Sequence, residues 1–270
     1  MRIPPCSLPL LAVLASLADA AVVNIDFSDL DPLGVESPTF TGLAAAPDPA
    51  GASAQWNTAS APWKDVVSAD VLLDSTGALT SVSLSLGVSS TFASVVGDQE
   101  LGGSGGSFLA LMGDYAVLDS GSPSLVKSAT GTFSGLVPSG TYDLYFYGQG
   151  DNFTGSGPRG QNTLFTLGGE SKQTRWDGFA AGDGLLLEGI EFVKFTVEAD
   201  AEGRIVFTWA NVVPGIGGNV ESDADGQASR FAALNAIQLV SSTPTAVPEP
   251  SVGLLGALGL LAALRRRRNA

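Results

Sequence analysis

The chemistry open to this chain is limited first by missing residue types. The sequence contains no histidine, and its single cysteine, Cys6, lies close to the start. Catalytic triads that rely on histidine, the usual zinc sites and haem ligation by histidine are therefore excluded. Asp183, Glu188 and Glu191 could still supply the carboxylate pair of a glycoside hydrolase, about 5 to 10 Å apart. Because such spacings are common in an acidic chain, we predict that the protein is not an enzyme and keep this alternative open.

Four residues in loop-like segments could bind a sugar. They are Trp63 and the run Arg175-Trp176-Asp177. Aromatic rings stack on sugar faces, and neighbouring polar side chains hydrogen-bond the sugar hydroxyls. We therefore predict a polysaccharide-binding role for these residues. For Trp56, which also lies in a loop, we favour packing against the end of the core.

One acidic segment has the oxygen spacing of a calcium loop. Glu221, Asp223 and Asp225 stand at alternate positions, and Gly226 occupies the sixth. The segment begins with Glu rather than Asp, and its twelfth residue is Ala232 where a bidentate Glu belongs. Calcium is therefore one interpretation of this segment, and a solvated acidic loop is the other.

The first 20 residues are predicted to be a signal peptide. Arg2 precedes an apolar stretch at 8–17, and Ala18-Asp19-Ala20 provides the small residues of a signal-peptidase site. Cys6 lies before the apolar stretch, so it cannot be the lipid-modified cysteine of a lipoprotein. Removal of the signal peptide leaves an exported body without cysteine, which must be stabilised by its core alone.

The net charge of the body excludes nucleic acid as a partner. The whole chain has 13 basic and 27 acidic residues. Arg2, Asp19 and the four arginines at 265–268 lie in the terminal segments, so residues 21–264 carry 8 basic and 26 acidic residues, a net charge of −18. A field of this sign repels phosphate backbones and favours solubility and cation binding.

Three features follow one another at the C-terminus. A linker at 242–251 contains Val247-Pro248-Glu249-Pro250-Ser251, an apolar run occupies 252–264, and Arg265, Arg266, Arg267 and Arg268 begin the tail 265–270. The two prolines impose a stiff, extended segment. The apolar run has 13 residues, whereas roughly 20 cross a bilayer, and the arginines would hold it with the tail in the cytoplasm.

This order of features resembles the PEP-CTERM sorting signal of bacterial exported proteins. The resemblance implies a transient transmembrane anchor that an exosortase-type membrane protease processes, and hence a location at the cell surface or in the extracellular matrix. The alternatives are an ordinary C-terminal membrane tail and a buried hairpin helix of the domain.

Alternation of apolar and polar residues predicts strands through the body. The most regular are 82–88 and 205–209, where Trp209 shares a face with Ile205 and Phe207 and should be buried. Other predicted strands cover 22–27, 65–73, 162–167, 192–197 and 231–240. The pattern at 108–118 fits either a helix or a strand. Residues 29–62 are predicted to form an irregular segment or short edge strands. Residues 170–187 are predicted to form a loop.

Residues 130–147 are predicted to form a hairpin. Strands at 130–136 and 141–147 flank Val137-Pro138-Ser139-Gly140, which has the residue types of a tight turn. The order Leu, Pro, Gly, Tyr resembles a connection in immunoglobulin-like and jelly-roll sandwiches in which the tyrosine locks a corner. That resemblance gives Tyr142 a buried ring and a hydroxyl bonded to backbone.

About nine strands without βαβ alternation predict one antiparallel β-sandwich at 21–241. The architecture resembles jelly-roll and galactose-binding-like carbohydrate-binding modules. We therefore predict a non-catalytic polysaccharide-binding or adhesion module. A structural matrix protein that has no small ligand and associates through calcium is the alternative.

Overall fold

The computed structural model describes residues 22–29, 39–61, 64–93, 108–150, 161–175, 185–213 and 230–242. Within these ranges the chain is mostly β-strand, with one short helix, α1 (Leu109–Met112), and one 3-10 turn (Gly51–Ser53). The predicted all-β class is therefore confirmed. The predicted signal peptide, sorting motif, apolar run and basic tail lie outside the described residues.

Fifteen strands occur in the described ranges, more than the sequence pattern predicts. They are β1 (Val22–Phe27), β2 (Asn57–Ala59), β3 (Val66–Ala69), β4 (Ser83–Gly87), β5 (Ser90–Ala93), β6 (Asp114–Asp119), β7 (Ser128–Ser134), β8 (Thr141–Tyr147), β9 (Gln149–Gly150), β10 (Gln161–Leu167), β11 (Glu170–Gln173), β12 (Phe192–Glu198), β13 (Ile205–Asn211), β14 (Phe231–Leu234) and β15 (Ala236–Ser241).

These strands form three sheets. A five-stranded sheet has the order β12-β8-β15-β1-β2, and a seven-stranded sheet has the order β11-β10-β13-β7-β4-β3 with β9 beside β10. A smaller sheet has the order β14-β6-β5. The strand pairings in the described ranges are antiparallel except that of β1 with β2.

The two larger sheets pack face to face around an aromatic core. Phe146 of the five-stranded sheet stacks on Phe165 of the seven-stranded sheet, with ring centroids 4.9 Å apart, and lies 4.7 Å from the ring of Phe207. Trp209 is fully buried, as predicted, and its indole N–H donates to the Gly87 carbonyl. Each such ring stabilises the fold by roughly 1.5 to 3 kcal/mol through burial. The described residues therefore form a β-sandwich.

The predicted hairpin at 130–147 is wrong. Both strands exist, but β7 pairs with β4 and β13 whereas β8 pairs with β12 and β15, so the connection crosses from one sheet to the other. The residue types at 137–140 suit both a tight hairpin within one sheet and a connection between two sheets. Only the partners available to each strand decide whether the chain folds back on itself or crosses the sandwich.

A second connection between the two larger sheets packs against the first. The connection between β12 and β13 lies against the one between β7 and β8, where Leu136 N–H donates to Gly203 O and Ala199 N–H donates to Gly140 O. Gly203 has a φ of +72° and could not carry a side chain, because a Cβ would lie 2.2 Å from Leu136 O. The two crossings therefore form one hydrogen-bonded corner.

Tyr142 locks this corner as predicted. Its ring is buried, and its hydroxyl accepts a hydrogen bond of 2.9 Å from the Val137 N–H. The tyrosine thus ties the start of β8 to the turn that precedes it.

Of four other segments, two agree with predicted alternatives and two differ from their sequence predictions. Residues 108–118 contain both predicted alternatives, since α1 is followed by β6. The predicted final strand divides at Asn235 into β14 and β15, which join different sheets. The predicted loop at 170–187 begins with strand β11, and β2 forms a short edge strand within 29–62.

The outer face of the five-stranded sheet is covered by residues 39–56 and α1. Phe40, Trp56, Leu111 and Met112 pack there against sheet residues that include Tyr147. The Trp56 ring is buried and its N–H donates to Gly42 O, which confirms its predicted role in packing.

Buried polar side chains attach this covering segment to the sheet. Gln238 donates to Asn24 Oδ1 (2.8 Å) and accepts from the Ala46 N–H (3.0 Å) and the Tyr147 hydroxyl. Asn24 in turn donates to Asp48 (2.9 Å). Because these groups are paired, their burial orients the segment without the penalty of unsatisfied polar atoms.

Asp26 is a buried carboxyl in the same interface. Its Oδ2 accepts a 2.7 Å hydrogen bond from the Phe40 N–H. Burial raises the pKa of Asp26 to about 8 and outweighs the opposing effect of that hydrogen bond. The carboxyl is therefore mostly protonated at neutral pH.

Substitutions at Tyr142 test the corner. Tyr142→Phe should lower the free energy of unfolding by on the order of 1 kcal/mol because it removes the acceptor of the Val137 N–H. Tyr142→Ala should lower it by ~3 kcal/mol or more because it also leaves a cavity. Urea denaturation measures both changes, and an alanine variant as stable as the parent would contradict the role of the corner.

Substitution of Asp26 tests the buried carboxyl. The pKa is about 8 in the folded protein against an ordinary value of 3.8, so the folded state holds the extra proton between those pH values. The contribution of Asp26 to stability is full below about pH 4 and is lost as the pH rises through 8, by on the order of a few kcal/mol.

Asp26→Asn should therefore reduce the decline in stability that the parent shows between about pH 5 and pH 8. Asp65→Asn, at an exposed position, serves as the control and should keep the decline. Urea denaturation at several pH values measures the slopes, and equal slopes for Asp26→Asn and the parent would refute this interpretation.

Candidate functional site

An open cleft of about 370 Å³ lies beside strand β11. Its lining residues come from two stretches of chain and are Ser171, Lys172, Gln173, Arg175, Glu188, Gly189 and Ile190. Its size is at the lower end of the range for small-molecule sites. One of the four residues predicted to bind sugar, Arg175, is among them.

The first wall of the cleft is set by the hairpin of β10 and β11. This hairpin turns at Gly168 and Gly169, both with positive φ, and places Ser171 opposite Thr166. After β11 the chain stays attached to β10, since the Thr174 N–H donates to Thr163 O. Arg175 therefore follows directly from a strand that is held in register.

The second wall is a tight turn at 187–191. The N–H groups of Ile190 and Glu191 donate to Leu187 O, and Gly189 has a φ of +84°. The buried Glu191 side chain accepts a 2.7 Å hydrogen bond from the Leu187 N–H. This turn presents Glu188 and Gly189 to the cleft.

Gln149 joins the two walls from beneath. It is completely buried, and its amide nitrogen donates to Arg175 O (2.8 Å) and Ile190 O (3.2 Å). The Arg175 N–H also donates to Ile190 O. The relative position of the walls is therefore set by hydrogen bonds to the backbone.

The buried floor near Gln149 contains polar atoms that lack hydrogen-bond partners among the described residues. They are Oε1 of Gln149 and both polar side-chain atoms of Asn162, which is paired with Gln149 across β9 and β10. The amides around the cleft can donate and accept but carry no charge.

The charged side chains in the cleft are mixed in sign. Lys172 lies 3.3 Å from Glu170 and 4.9 Å from the centre of the Phe195 ring, and it donates to Lys194 O. Arg175 is exposed, and Glu188 is the carboxylate among the described lining residues. These groups can bind hydroxyls by hydrogen bonding, and the mixture of signs gives no strong preference for an anion or a cation.

The other predicted site residues fall elsewhere. Trp63, Trp176, Asp177, Asp183, Glu221, Asp223 and Asp225 lie outside the described residues, as does the sorting motif at 247–251. Glu191 lies under the turn with its carboxylate buried, whereas Glu188 lines the cleft. The structure therefore brings Arg175 and Glu188 together and leaves the predicted calcium loop untested.

Three further findings concern the described ranges as a whole. They contain no group of three acidic, cysteine or histidine side chains placed to hold a metal ion. No aromatic side chain is exposed among them. None of their helices has the length and apolar character needed to cross a membrane.

Sequence reasoning missed Gln149 and the second wall of the cleft. Gln149 lies in the run Gly148-Gln149-Gly150, whose glycines are typical of a loop, and the sequence indicates only a catalytic role for Glu188. No local signal identifies a glutamine whose partners are 26 and 41 residues further along the chain.

The comparisons with known families and curated proteins found no match.

Proposed function

We propose that this protein is an exported, non-catalytic module of the cell surface or extracellular matrix that binds polysaccharide at the cleft beside β11. The observation that carries the proposal is the position of Arg175 in an open cleft with Lys172, Gln173 and Glu188. Arg175 directly precedes Trp176 and Asp177 in the sequence. A planar guanidinium and amides with fixed backbone partners suit hydrogen bonding to sugar hydroxyls.

The proposed location follows from the terminal segments. Signal peptidase removes residues 1–20, and the run at 252–264 holds the chain in the membrane until an exosortase-type protease acts at the Val-Pro-Glu-Pro-Ser motif. The arginines at 265–268 orient the anchor, because charge is costly to move across a bilayer. The body then remains outside the cell.

We also propose that the sandwich belongs to the jelly-roll or galactose-binding-like group of exported modules. The support is the sheet-crossing corner with its buried Tyr142 and the packing of two mainly antiparallel sheets.

The burial of Glu191 supports binding rather than catalysis. Its carboxylate is buried and accepts from the Leu187 N–H, whereas a glycosidase needs two carboxyls that face the same substrate. Glu188 lines the cleft, whereas Glu191 is not among its lining residues.

A second candidate function is that of a structural matrix protein without a small ligand. The observation in its favour is that no described aromatic side chain is exposed, and that Trp56 and Trp209 are buried. In that case the acidic side chains of the protein, among them Glu221, Asp223 and Asp225, would associate through calcium.

A glycan-array screen of residues 21–246 distinguishes the two candidates. Polysaccharide binding should be detected for the parent and should fall about tenfold or more for Arg175→Ala, because a central hydrogen-bonding group is lost. Lys64→Ala is the matched control, since Lys64 is an exposed cation outside the cleft. Absence of binding to every glycan, with and without calcium, would favour the structural candidate.

Substitutions in the tail test the sorting signal. Neutral residues at 265–268 should let the anchor slip or invert, so that unprocessed protein is released. Pro248→Ala with Pro250→Ala should leave the protein anchored and uncut, because a helix could extend through the site. Mass spectrometry of the surface-exposed form in the native host measures both. A parent form that retains Arg268 despite an active sorting protease would refute processing.

A further inference from the structure

The outer face of the seven-stranded sheet lies mainly on five uncharged strands, whereas the edge strand β11 carries Glu170 and Lys172. Strands β3, β4, β7, β10 and β13 contain no Asp, Glu, Lys or Arg in their 30 residues. The whole chain has a formal net charge of −14. Exposed sheet surfaces usually carry charged side chains that suppress association. The neutrality of these five strands is therefore a local exception in an acidic protein.

Hydroxyl side chains are aligned across this face in two rows. The register places Thr130 opposite Thr208, Thr208 opposite Thr166, and Thr166 opposite Ser171. The second row contains Ser68, Ser85, Thr132 and Val206 in the same way. We call these eight residues the hydroxyl face. Neighbouring strands are about 4.8 Å apart, so the first row spans roughly 14 Å.

The hydroxyl face is accessible. Ser68, Ser85, Thr130, Val206 and Thr208 are exposed, and the other three members are half-buried. The hydroxyls of Ser85, Thr130, Thr132 and Thr208 form no hydrogen bond to another described residue. They are therefore available both to donate to and to accept from a ligand.

We propose that the hydroxyl face binds a chain of an uncharged polysaccharide, which continues into the cleft beside β11. Ser171 connects the two surfaces, because it ends the first row and also lines the cleft. The sugar hydroxyls pair with Ser and Thr hydroxyls, while sugar C–H groups contact Thr methyls and Val206. This inference rests on the proposed function and names the class of its ligand.

The distribution of charge on the protein favours an uncharged polysaccharide over a charged polymer. An acidic polymer is repelled by the body of the protein, and a basic polymer finds at the face, among the described residues, only the Asp70 carboxylate, which already accepts a hydrogen bond from the Ser68 hydroxyl. An uncharged polymer meets neither difficulty. Its binding should also be nearly independent of salt, because screening acts only on charges.

The area of the face argues against a protein partner or a second copy of the chain. Six strands about 4.8 Å apart and roughly 17 Å long offer on the order of 500 Å². A stable protein interface buries about 800 Å² on each partner. The face also lacks the Trp, Tyr and Arg anchors that dominate such interfaces. An extended polymer makes better use of a shallow and narrow surface.

Co-sedimentation of the protein secreted by its native host tests the proposal. The probes are insoluble uncharged polysaccharides, namely cellulose, chitin and starch granules, with alginate gel and chitosan as charged comparators. The parent should bind at least one uncharged probe, with an affinity that changes less than about twofold between 50 mM and 500 mM salt. A parent that binds none of the five probes, charged or uncharged, overturns both this inference and the proposed function.

Paired lysine substitutions separate the face from the cleft. Ser85→Lys with Thr208→Lys should weaken binding to the uncharged probe at least tenfold, because desolvated charge is placed against the sugar chain. Leu43→Lys with Leu125→Lys, at exposed positions outside the face, adds the same charge and should bind like the parent. Thermal melts verify that both pairs fold.

Two outcomes overturn the inference while the proposed function stands. One is equal binding by the parent and the Ser85→Lys, Thr208→Lys variant when Arg175→Ala loses binding, which confines the ligand to the cleft. The other is a parent that binds only alginate or chitosan. A parent dimer that the face variant dissociates, seen by analytical ultracentrifugation, would identify a second copy as the occupant and also overturn the inference.

Discussion

The arrangement of the three sheets depends on the hydrogen bonds of Asn235. Its side chain donates to Met112 O and Asp114 O and accepts from the Gln149 N–H, while its backbone bonds to Tyr147 and Phe27. The residue lies between β14 and β15, which belong to different sheets. One buried amide thus joins all three sheets where the chain changes from one to another. Without it, several buried backbone groups would lose their partners, at a cost of about 1 to 3 kcal/mol each.

The same junction determines the position of the candidate site. The Gln149 N–H bonds to Asn235, and the Gln149 side chain bonds to both walls of the cleft. The cleft is therefore attached to the centre of the fold through a short chain of hydrogen bonds. Lining residues held in this way lose little conformational entropy when a ligand binds. Because the hydroxyl face belongs to strands of the same sheet, it shares this rigidity.

An apolar core and a layer of hydrogen-bonded polar side chains stabilise this fold without disulfides. The described body contains no cysteine. The aromatic rings between the sheets supply the apolar burial, and Asn24, Gln238 and Tyr147 attach the segment at 39–56 to the outer face. Polar pairs of this kind orient a covering segment more specifically than apolar contacts alone. The sandwich therefore gains a third layer on one side and leaves the hydroxyl face uncovered on the other.

The sequence by itself determined the all-β class, the alternating strands around Trp209 and the corner tyrosine, because side-chain period and turn chemistry are local properties. It also located Arg175, but not Gln149 or Glu188 as its neighbours in a cleft. Only the tertiary structure decided that β7 and β8 separate into different sheets and that the last strand divides at Asn235. It alone also aligned Thr130, Thr208 and Thr166 in one row. The physical reason is that strand partners and register follow from packing between residues far apart in the chain, which no local pattern records.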